Sequence, residues 1–284
     1  MLILFYKNIL QGEIKMRKIL SLLVVCFILM ASLSTNILAS ADNNQTNIIC
    51  NGDADKTQVA VKLTNQQQID QVKNDSSLSQ SQKNMAINKL TLSENILSEV
   101  QASSGVSTEN SLTYADSSCI IPVPYYRQLY GNYCGPATTQ QTLTYFNGTS
   151  PSQDTIAAAF GMVPNGAGVP NGTDVPNYIN ARESSNYYLA RVNEAEAQMQ
   201  TDMINDINIY GPTILRIAPT TQYWQYNSAG HYLNVSGEIS TTTFEVTDPF
   251  IQYIVPTNTS GKYDTSLYDI WTVTQLHPAK TYYY

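Results

Sequence analysis

The chain has 284 residues, of which 43% are hydrophobic and 13% are charged, and its formal net charge is −7. This length and apolar share allow one or two domains with a sizeable core. Because binding to phosphate backbones needs a basic face, the acidic balance argues against a nucleic-acid partner.

Residues 1–41 have the pattern of a secretory signal peptide. Two basic residues at 17–18 precede an apolar stretch at 19–31, which is too short for a typical membrane span. An Ala-Ser-Ala sequence at 39–41 then matches a signal-peptidase site. We expect a secreted protein, extracellular or associated with the cell surface, that begins at Asp42 and has no stable membrane insertion after cleavage. An uncleaved membrane anchor is the alternative.

Met16 is the expected start of translation. The preceding Gln11-Gly12-Glu13 is compatible with the codons CAA-GGA-GAA, which contain a purine-rich ribosome-binding sequence just upstream of Met16. Residues 1–15 are then a misread leader, and the signal peptide itself begins at Met16.

Residues 42–112 form a polar segment between the signal and the rest of the chain. The segment contains no Pro, Trp or Phe, and its apolar residues recur at helical spacing between Met85 and Val100. Capping-box sequences, which are typical of helix starts, begin at Ser79 and Thr91. The pattern predicts one or two short amphipathic helices. Two interpretations remain open: a spacer, or a propeptide that covers the functional cleft of the same chain.

Three cysteines follow the signal, and an odd number in an exported chain favours one disulfide and one free thiol. Cys50 and Cys119 flank a polar segment and could form that disulfide. Cys134 would then be the free, reactive cysteine.

Residues 113–284 have the pattern of a folded domain. The predicted helices are 133–146, 151–160, 174–181 and 194–209, with capping residues, Gly or Pro at their ends. The apolar period then shortens, and the predicted strands are 213–218, 232–236, 243–247, 252–255 and 270–276. Helices that precede closely connected strands favour an α+β fold, in which N-terminal helices pack on an antiparallel sheet.

Cys134 lies in a Tyr-Cys-Gly-Pro sequence at the start of the first of these helices. A thiol is nucleophilic only as the thiolate, and the positive end of a helix dipole stabilises that anion. The small Gly135 leaves room for a substrate backbone beside the sulfur. Cys134 is therefore the candidate nucleophile, and a buried cysteine at a helix start is the alternative.

His231 is the candidate general base. The chain has only two histidines, and the other, His277, lies near the C-terminus with no acid nearby in sequence. If the turn after the His231 strand spans 238–241, Asp248 lies directly across from His231 and can hold its imidazole in one tautomer. Asn234 is the rival orienting residue, but its position three residues along the strand places its side chain on the opposite face.

Gln128 is the candidate for stabilising the oxyanion that develops during acyl transfer. It precedes Cys134 by six residues, and its side-chain amide could pair with the Cys134 backbone N–H to form that oxyanion hole. The two histidines and the scattered cysteines lack the spacing of metal ligands, so no metal and no cofactor are expected.

Four short motifs occur in order along the chain: VPYYRQ at 123–128, CGPA at 134–137, GHY at 230–232 and DP at 248–249. Together they resemble the C39-like group of bacterial cysteine peptidases, relatives of the bacteriocin-processing peptidases of double-glycine leaders. The resemblance spans about residues 120–276. It implies a papain-like fold in which Cys134 attacks and His231 acts first as base and then as acid. Asp248 would orient His231, and Gln128 would help to form the oxyanion hole.

The bacteriocin-processing relatives are usually fused to an ABC transporter and act in the cytoplasm, whereas this chain carries a signal-peptide pattern. The expected function is that of a secreted cysteine peptidase, which hydrolyses a peptide or protein substrate through a thioester intermediate. A cell-wall amidase or acyltransferase on the same fold stays open, as does a non-catalytic module that binds peptides. Rapid alkylation of Cys134 at neutral pH would count against the non-catalytic module.

Overall fold

The computed structural model describes residues 50, 52–55, 61–103 and 118–284, all within one unit that spans residues 48–284. The predicted signal peptide and its cleavage site lie outside the described residues. In the part of the chain that is described, no helix combines the length and the apolar character needed to cross a membrane.

An antiparallel sheet of seven strands forms the centre of the fold. Its strands are β1 (Cys119–Ile120), β2 (Ala190–Val192), β3 (Thr213–Ile217), β4 (His231–Ser240), β5 (Thr243–Thr247), β6 (Lys262–Ser266) and β7 (Thr281–Tyr283). Six of them follow the order β2-β7-β3-β4-β5-β6, and β1 pairs with β4 outside this path. Each strand pair is antiparallel, which confirms the predicted α+β class.

Eight α-helices surround or precede this sheet in the described residues. They are α1 (Asn65–Asn74), α2 (Gln80–Ser103), α3 (Cys134–Asn147), α4 (Gln153–Ala159), α5 (Asp174–Asn180), α6 (Glu196–Asn205), α7 (Ile251–Ile254) and α8 (Leu267–Leu276). Helices α3 to α6 confirm the four predicted from the sequence. Helix α3 ends at Gly148, whose φ of 72° is the left-handed conformation that glycine adopts readily. This helix packs against β4, which brings the two central motifs together.

Two predicted strands are in fact helices. Residues 252–254 fall in the short α7, which ends before Val255, and residues 270–276 fall in α8. Ser266 caps α8, because its hydroxyl accepts a hydrogen bond from the Asp269 backbone N–H. The apolar run reads as a strand in sequence, but α8 buries side chains that are three or four residues apart: Leu267, Ile270, Val273 and Thr274.

The polar segment before the domain forms two helices, α1 and α2, that pack on each other. The capping box at Ser79 is present, since the Ser79 hydroxyl accepts from the Gln82 backbone N–H at 3.3 Å and Gln82 accepts in return. The capping box predicted at Thr91 is wrong, because Thr91 lies inside α2 and donates to the Ile87 carbonyl. Helix α2 has 24 residues and is longer than the short helices expected.

Helix α2 is joined to the domain by buried charges. The Lys89 ammonium, only 2% exposed, lies 2.9 Å from an Asp206 carboxylate oxygen and donates to the Asn186 side chain. Nearby, Ser93 of α2 donates a hydrogen bond to the carboxylate of Asp202. Breaking a buried ion pair by removing one partner is strongly destabilising, so these contacts hold α2 firmly on the domain.

Candidate active site

Cys134 lies at the N-terminus of α3, as the sequence predicts, and its side chain is fully buried. Its Sγ accepts a hydrogen bond from the Tyr232 backbone N–H at 3.3 Å, which ties the start of α3 to the start of β4. Gly52 covers the sulfur from the other side. A Cβ at position 52 would lie 1.7 Å from the Cys134 Sγ, so this close approach requires glycine.

His231 and Asp248 are in direct contact. The His231 Nε2 lies 2.9 Å from Asp248 Oδ1, and both side chains are fully buried. The predicted strand register is nevertheless wrong, because β4 and β5 contain irregularities and the turn lies at 241–242. Asn234 pairs with Thr247. Continuing this register would pair Leu233 with Asp248. Asp248 is therefore a diagonal neighbour of His231, which lies two residues before Leu233 on the opposite strand.

The Asp248 carboxylate is satisfied by four hydrogen-bond partners. Oδ1 contacts His231 and accepts from the Phe250 backbone N–H at 2.8 Å, and Oδ2 accepts from the hydroxyls of Tyr226 and Tyr263. Burial on its own raises the pKa of a carboxyl, but the positive charge of His231 and these hydrogen bonds lower the pKa of Asp248. Tyr226 and Tyr263 were not predicted as site residues, because tyrosine is abundant throughout this chain.

Asn234, the rival orienting residue, faces away from His231 as expected. Its side chain contacts α3: Oδ1 accepts from the Thr142 hydroxyl at 2.9 Å, and Nδ2 donates to Gln141 Oε1 at 3.0 Å. Asn234 therefore belongs to the interface between α3 and β4 and does not hold the imidazole.

The Gln128 side chain does not make the pairing expected with the Cys134 backbone N–H. Its Nε2 donates to the carbonyl oxygens of Tyr130 at 2.8 Å and Gly131 at 3.0 Å. Both donors of this amide are thus directed at the loop that precedes Cys134. The buried Oε1 has no hydrogen-bond partner among the described residues. In this structure Gln128 shapes the loop, and no free donor of its side chain serves an oxyanion.

A second cysteine, Cys50, lies in the site, and no pattern in the sequence predicts it there. The Cys50 Sγ lies 3.0 Å from His231 Nδ1, the nitrogen that faces away from Asp248. The proposed disulfide between Cys50 and Cys119 is therefore wrong. All three cysteines in the described residues are free, and the Cys119 sulfur instead points to the Ile207 carbonyl. The physical reason is that the fold places Cys50 in the cleft, in contact with His231, which lies 181 positions away in sequence.

The two cysteines of this cluster have pKa values shifted in opposite directions. Burial raises the pKa of a thiol, but hydrogen bonding with Cys134 and the charge of His231 lower the pKa of Cys50 well below its ordinary value. Burial likewise opposes the charged imidazole, yet the anions of Cys50 and Asp248 raise the pKa of His231 to about 10. Burial and the neighbouring Cys50 raise the pKa of Cys134 well above its ordinary value. The directions of these shifts favour an ion pair of His231 with Cys50 over one with Cys134.

Cys50, Cys134 and His231 also form a group of potential metal ligands, whose donor atoms all lie within 4.8 Å of one another. Two thiol sulfurs and one imidazole nitrogen are donors of the type that Zn²⁺ prefers. The sequence predicts no such group, because ligand spacing cannot reveal residues that only the fold brings together.

Residues 52–55 continue from Cys50 along the cleft. Gly52 O accepts from the Val169 backbone N–H at 2.9 Å, and the Ala54 N–H donates to Val169 O at 3.1 Å. Asp53 lies between these two hydrogen bonds and contacts Arg216 and His277. His277 has no acidic residue nearby in sequence, but the fold brings Asp53 into contact with it. Because residues 50 and 52–55 contact both Cys134 and His231, they block access to the site in this structure.

One family model and two solved structures are similar to this chain. The model of the Peptidase_C39 like family matches residues 120–271, more than half of the chain. The peptidase domain of Streptococcus ComA, described as a bi-functional ABC transporter involved in a quorum sensing pathway, is 13% identical, with a TM-score of 0.37. That match covers 57% of this chain and 96% of the domain. A digestive procathepsin L 3 from the larval midgut of Tenebrio molitor is 13% identical over 78% of this chain and 99% of its own, with a TM-score of 0.35. No curated protein matches.

Proposed function

The chain belongs to the C39-like peptidase family, and from this membership we propose that it is a cysteine peptidase whose nucleophile is Cys134 and whose base is His231. One observation carries the assignment: His231 is held by Asp248 on Nε2, while its ring approaches the sulfur of a cysteine at a helix N-terminus. A nucleophile beside a base that is itself oriented by a third group is the arrangement that nucleophilic catalysis requires.

The reaction follows once residues 50 and 52–55 leave the cleft. Without Cys50, His231 Nδ1 takes the proton of the Cys134 thiol and forms a thiolate–imidazolium pair. The thiolate attacks the substrate carbonyl carbon, and the backbone N–H groups at the free start of α3 stabilise the resulting oxyanion. His231 returns the proton to the leaving amine, and a thioester remains on Cys134. Water, deprotonated by His231, then hydrolyses the thioester and restores the free thiol.

We propose that residues 42–112 act as a propeptide rather than as a spacer. Two separate contacts support this role. Cys50 and Gly52 occupy the site at Cys134 and His231, and the buried Lys89 ties α2 to the domain through Asp206. A spacer would have no reason to bury a charged side chain in its neighbour, since burying a charge is costly.

The proposed place of action is outside the cell or at its surface. The signal-peptide pattern of residues 1–41, with its basic start, apolar stretch and Ala-Ser-Ala sequence, supports this. N-terminal sequencing of the protein from the culture medium tests it: a chain that begins at Asp42 is expected. Retention of the whole protein inside the cells would contradict the proposal.

The peptidase activity is tested by incubating the chain with a diverse peptide mixture and identifying new peptide termini by mass spectrometry. Limited proteolysis of the segment before residue 113 precedes the incubation, so that the cleft is open. Cleavage is expected with wild-type protein and with Cys119→Ala, whose sulfur lies outside the site. Cleavage should vanish in Cys134→Ala. Equal cleavage by Cys134→Ala and wild type would refute the assignment of the nucleophile.

A further inference from the structure

We propose that Arg216 and His277 form a carboxylate-binding subsite beside Cys134, which selects peptides with an acidic residue next to the residue that contacts the nucleophile. The inference rests on the proposed function, because it treats residues 50 and 52–55 as occupying the place of a bound peptide. The ligand is the side-chain carboxylate of an aspartate or glutamate in a peptide.

The subsite holds the Asp53 carboxylate from two sides. Arg216 donates through Nε to Oδ2 and through Nη2 to Oδ1, the latter at 3.1 Å. A two-point contact of this kind matches the planar guanidinium to the planar carboxylate. The His277 Nε2 lies 3.1 Å from Oδ2. Because His277 Nδ1 accepts a hydrogen bond from the Ala279 backbone N–H, Nε2 carries the ring proton and donates it to Asp53.

A second carboxylate completes the contact with Arg216. Asp55 Oδ2 lies 3.2 Å from Arg216 Nη2 and accepts a hydrogen bond from the Gly172 backbone N–H at 3.0 Å. A Cβ at position 172 would lie 2.1 Å from Arg216 Nη1, so glycine at this position leaves the space that the guanidinium occupies.

The charge of Arg216 is balanced by residues that the active enzyme must displace. Arg216 is only 3% exposed, and among the described residues its carboxylate ion pairs are with Asp53 and Asp55. Its aromatic neighbour Tyr232 supplies no negative charge at neutral pH, since burial raises its pKa well above the ordinary value. A buried charge without a counter-ion is strongly unfavourable. A peptide that replaces residues 50 and 52–55 therefore binds best when it brings a carboxylate of its own.

The backbone contacts fix where that carboxylate lies relative to the nucleophile. Gly52 covers the Cys134 sulfur, and the two hydrogen bonds with Val169 hold the chain on either side of Asp53. Glycines at positions 168 and 230 line the cleft beside this segment, so no side chains project from these positions toward it. A Cβ at position 230 would lie 2.5 Å from the Asp53 Cβ, and a Cβ at position 168 would lie 2.3 Å from the Gly52 carbonyl carbon. The cleft thus fits a small residue at the nucleophile and an acidic residue adjacent to it.

Binding of labelled peptides to the full chain tests the subsite. The protein carries Asp53→Asn and Asp55→Asn, which remove the carboxylates that compete for Arg216 and loosen the segment. Two peptides with the same flanking residues contain either Gly-Asp or Gly-Asn, and a second pair contains Asp-Gly or Asn-Gly, because a substrate can run in either direction. Fluorescence anisotropy gives the dissociation constant of each.

The acidic peptide of one pair should bind about tenfold more tightly than its amide partner, since hydrogen bonds to charged groups are stronger than neutral ones. Arg216→Gln should abolish this preference, and Arg216→Lys should keep part of it through the retained charge. Arg182→Gln is the matched control, because Arg182 is exposed, stacks on Tyr178 and forms no ion pair with Asp53 or Asp55, so it should not affect the preference.

Equal affinity for the acidic and amide peptides in both pairs would overturn the proposal, as would failure of all four peptides to bind. These outcomes do not depend on folding of the Arg216 variants, because they are read in a protein with the subsite intact. Hydrolysis is measured separately on a mixed peptide library. Cleavage without an acidic preference would leave the peptidase function standing and remove only the subsite.

Discussion

Replacing Cys50 by serine should make Cys134 reactive. The serine cannot supply a thiolate, so His231 loses one of the two anions that hold it as imidazolium. Both anions raise the pKa of His231 to about 10 against its burial. The Cys50 Sγ lies 3.0 Å from His231 Nδ1, and a hydrogen bond to a charged group contributes about 2 kcal/mol, so losing it weakens the closed state by about that amount. The open population should then rise by a factor of roughly 30.

The assay is the rate at which iodoacetamide alkylates Cys134 at neutral pH, followed by mass spectrometry of the peptide that contains it. Cys50→Ser should react roughly thirtyfold faster than wild type, in line with the same change in population. Cys119→Ser provides the matched control, because its sulfur lies outside the cluster, and it should react at the wild-type rate. Alkylation of Cys134 at the same rate in Cys50→Ser and wild type would refute the reasoning.

Three further outcomes follow from the same contacts. Asp248→Asn should lower kcat of the opened enzyme by about a hundredfold, a smaller loss than in Cys134→Ala. Asp264→Asn, at an exposed position, should have no effect on kcat. Equal losses of kcat in Asp248→Asn and Cys134→Ala would argue that Asp248 does more than orient His231. Lys89→Met should lower the free energy of unfolding by about 3–5 kcal/mol in urea denaturation, whereas Lys73→Met, at an exposed position, should leave it unchanged. An unchanged free energy of unfolding in Lys89→Met would contradict a structural role for the ion pair with Asp206. Burial raises the pKa of Asp53, but its hydrogen bonds and ion pairs with His277 and Arg216 lower it below the ordinary value. The contribution of Asp53 to holding its segment in the cleft is therefore complete above about pH 4 and is lost only as the pH falls further. Hydrogen-exchange protection of the Ala54 amide should be equal at pH 5 and pH 7, and loss of protection at pH 5 would contradict this.

The parts of the site that could be predicted are those with local signals. A cysteine before Gly-Pro at a helix start identified Cys134, and a histidine at the start of a strand identified His231. Asp248 was found through an assumed hairpin whose register is wrong. The prediction of contact succeeded because a diagonal neighbour on the same sheet face is also within reach of a histidine.

The parts that could not be predicted depend on contacts between distant segments. Nothing near Cys50 in sequence indicates a histidine 181 residues away, and the rule of pairing cysteines favoured Cys119 instead. The same limit applies to the contact of Asp53 with Arg216 and His277, which only the fold brings together. Residues 270–276, IWTVTQL, predict a strand although they belong to helix α8, because periodicity over so short a stretch cannot distinguish the two.

The central claim is that Cys134 is the nucleophile and that His231 makes it anionic. The most direct measurement is covalent trapping of the proteolytically opened enzyme with a peptide vinyl sulfone, with the adduct located by mass spectrometry. A single adduct on Cys134 is predicted, formed much more slowly in His231→Ala. Adducts on Cys134 at equal rates in His231→Ala and wild type, or an adduct on Cys119 alone, would contradict the claim.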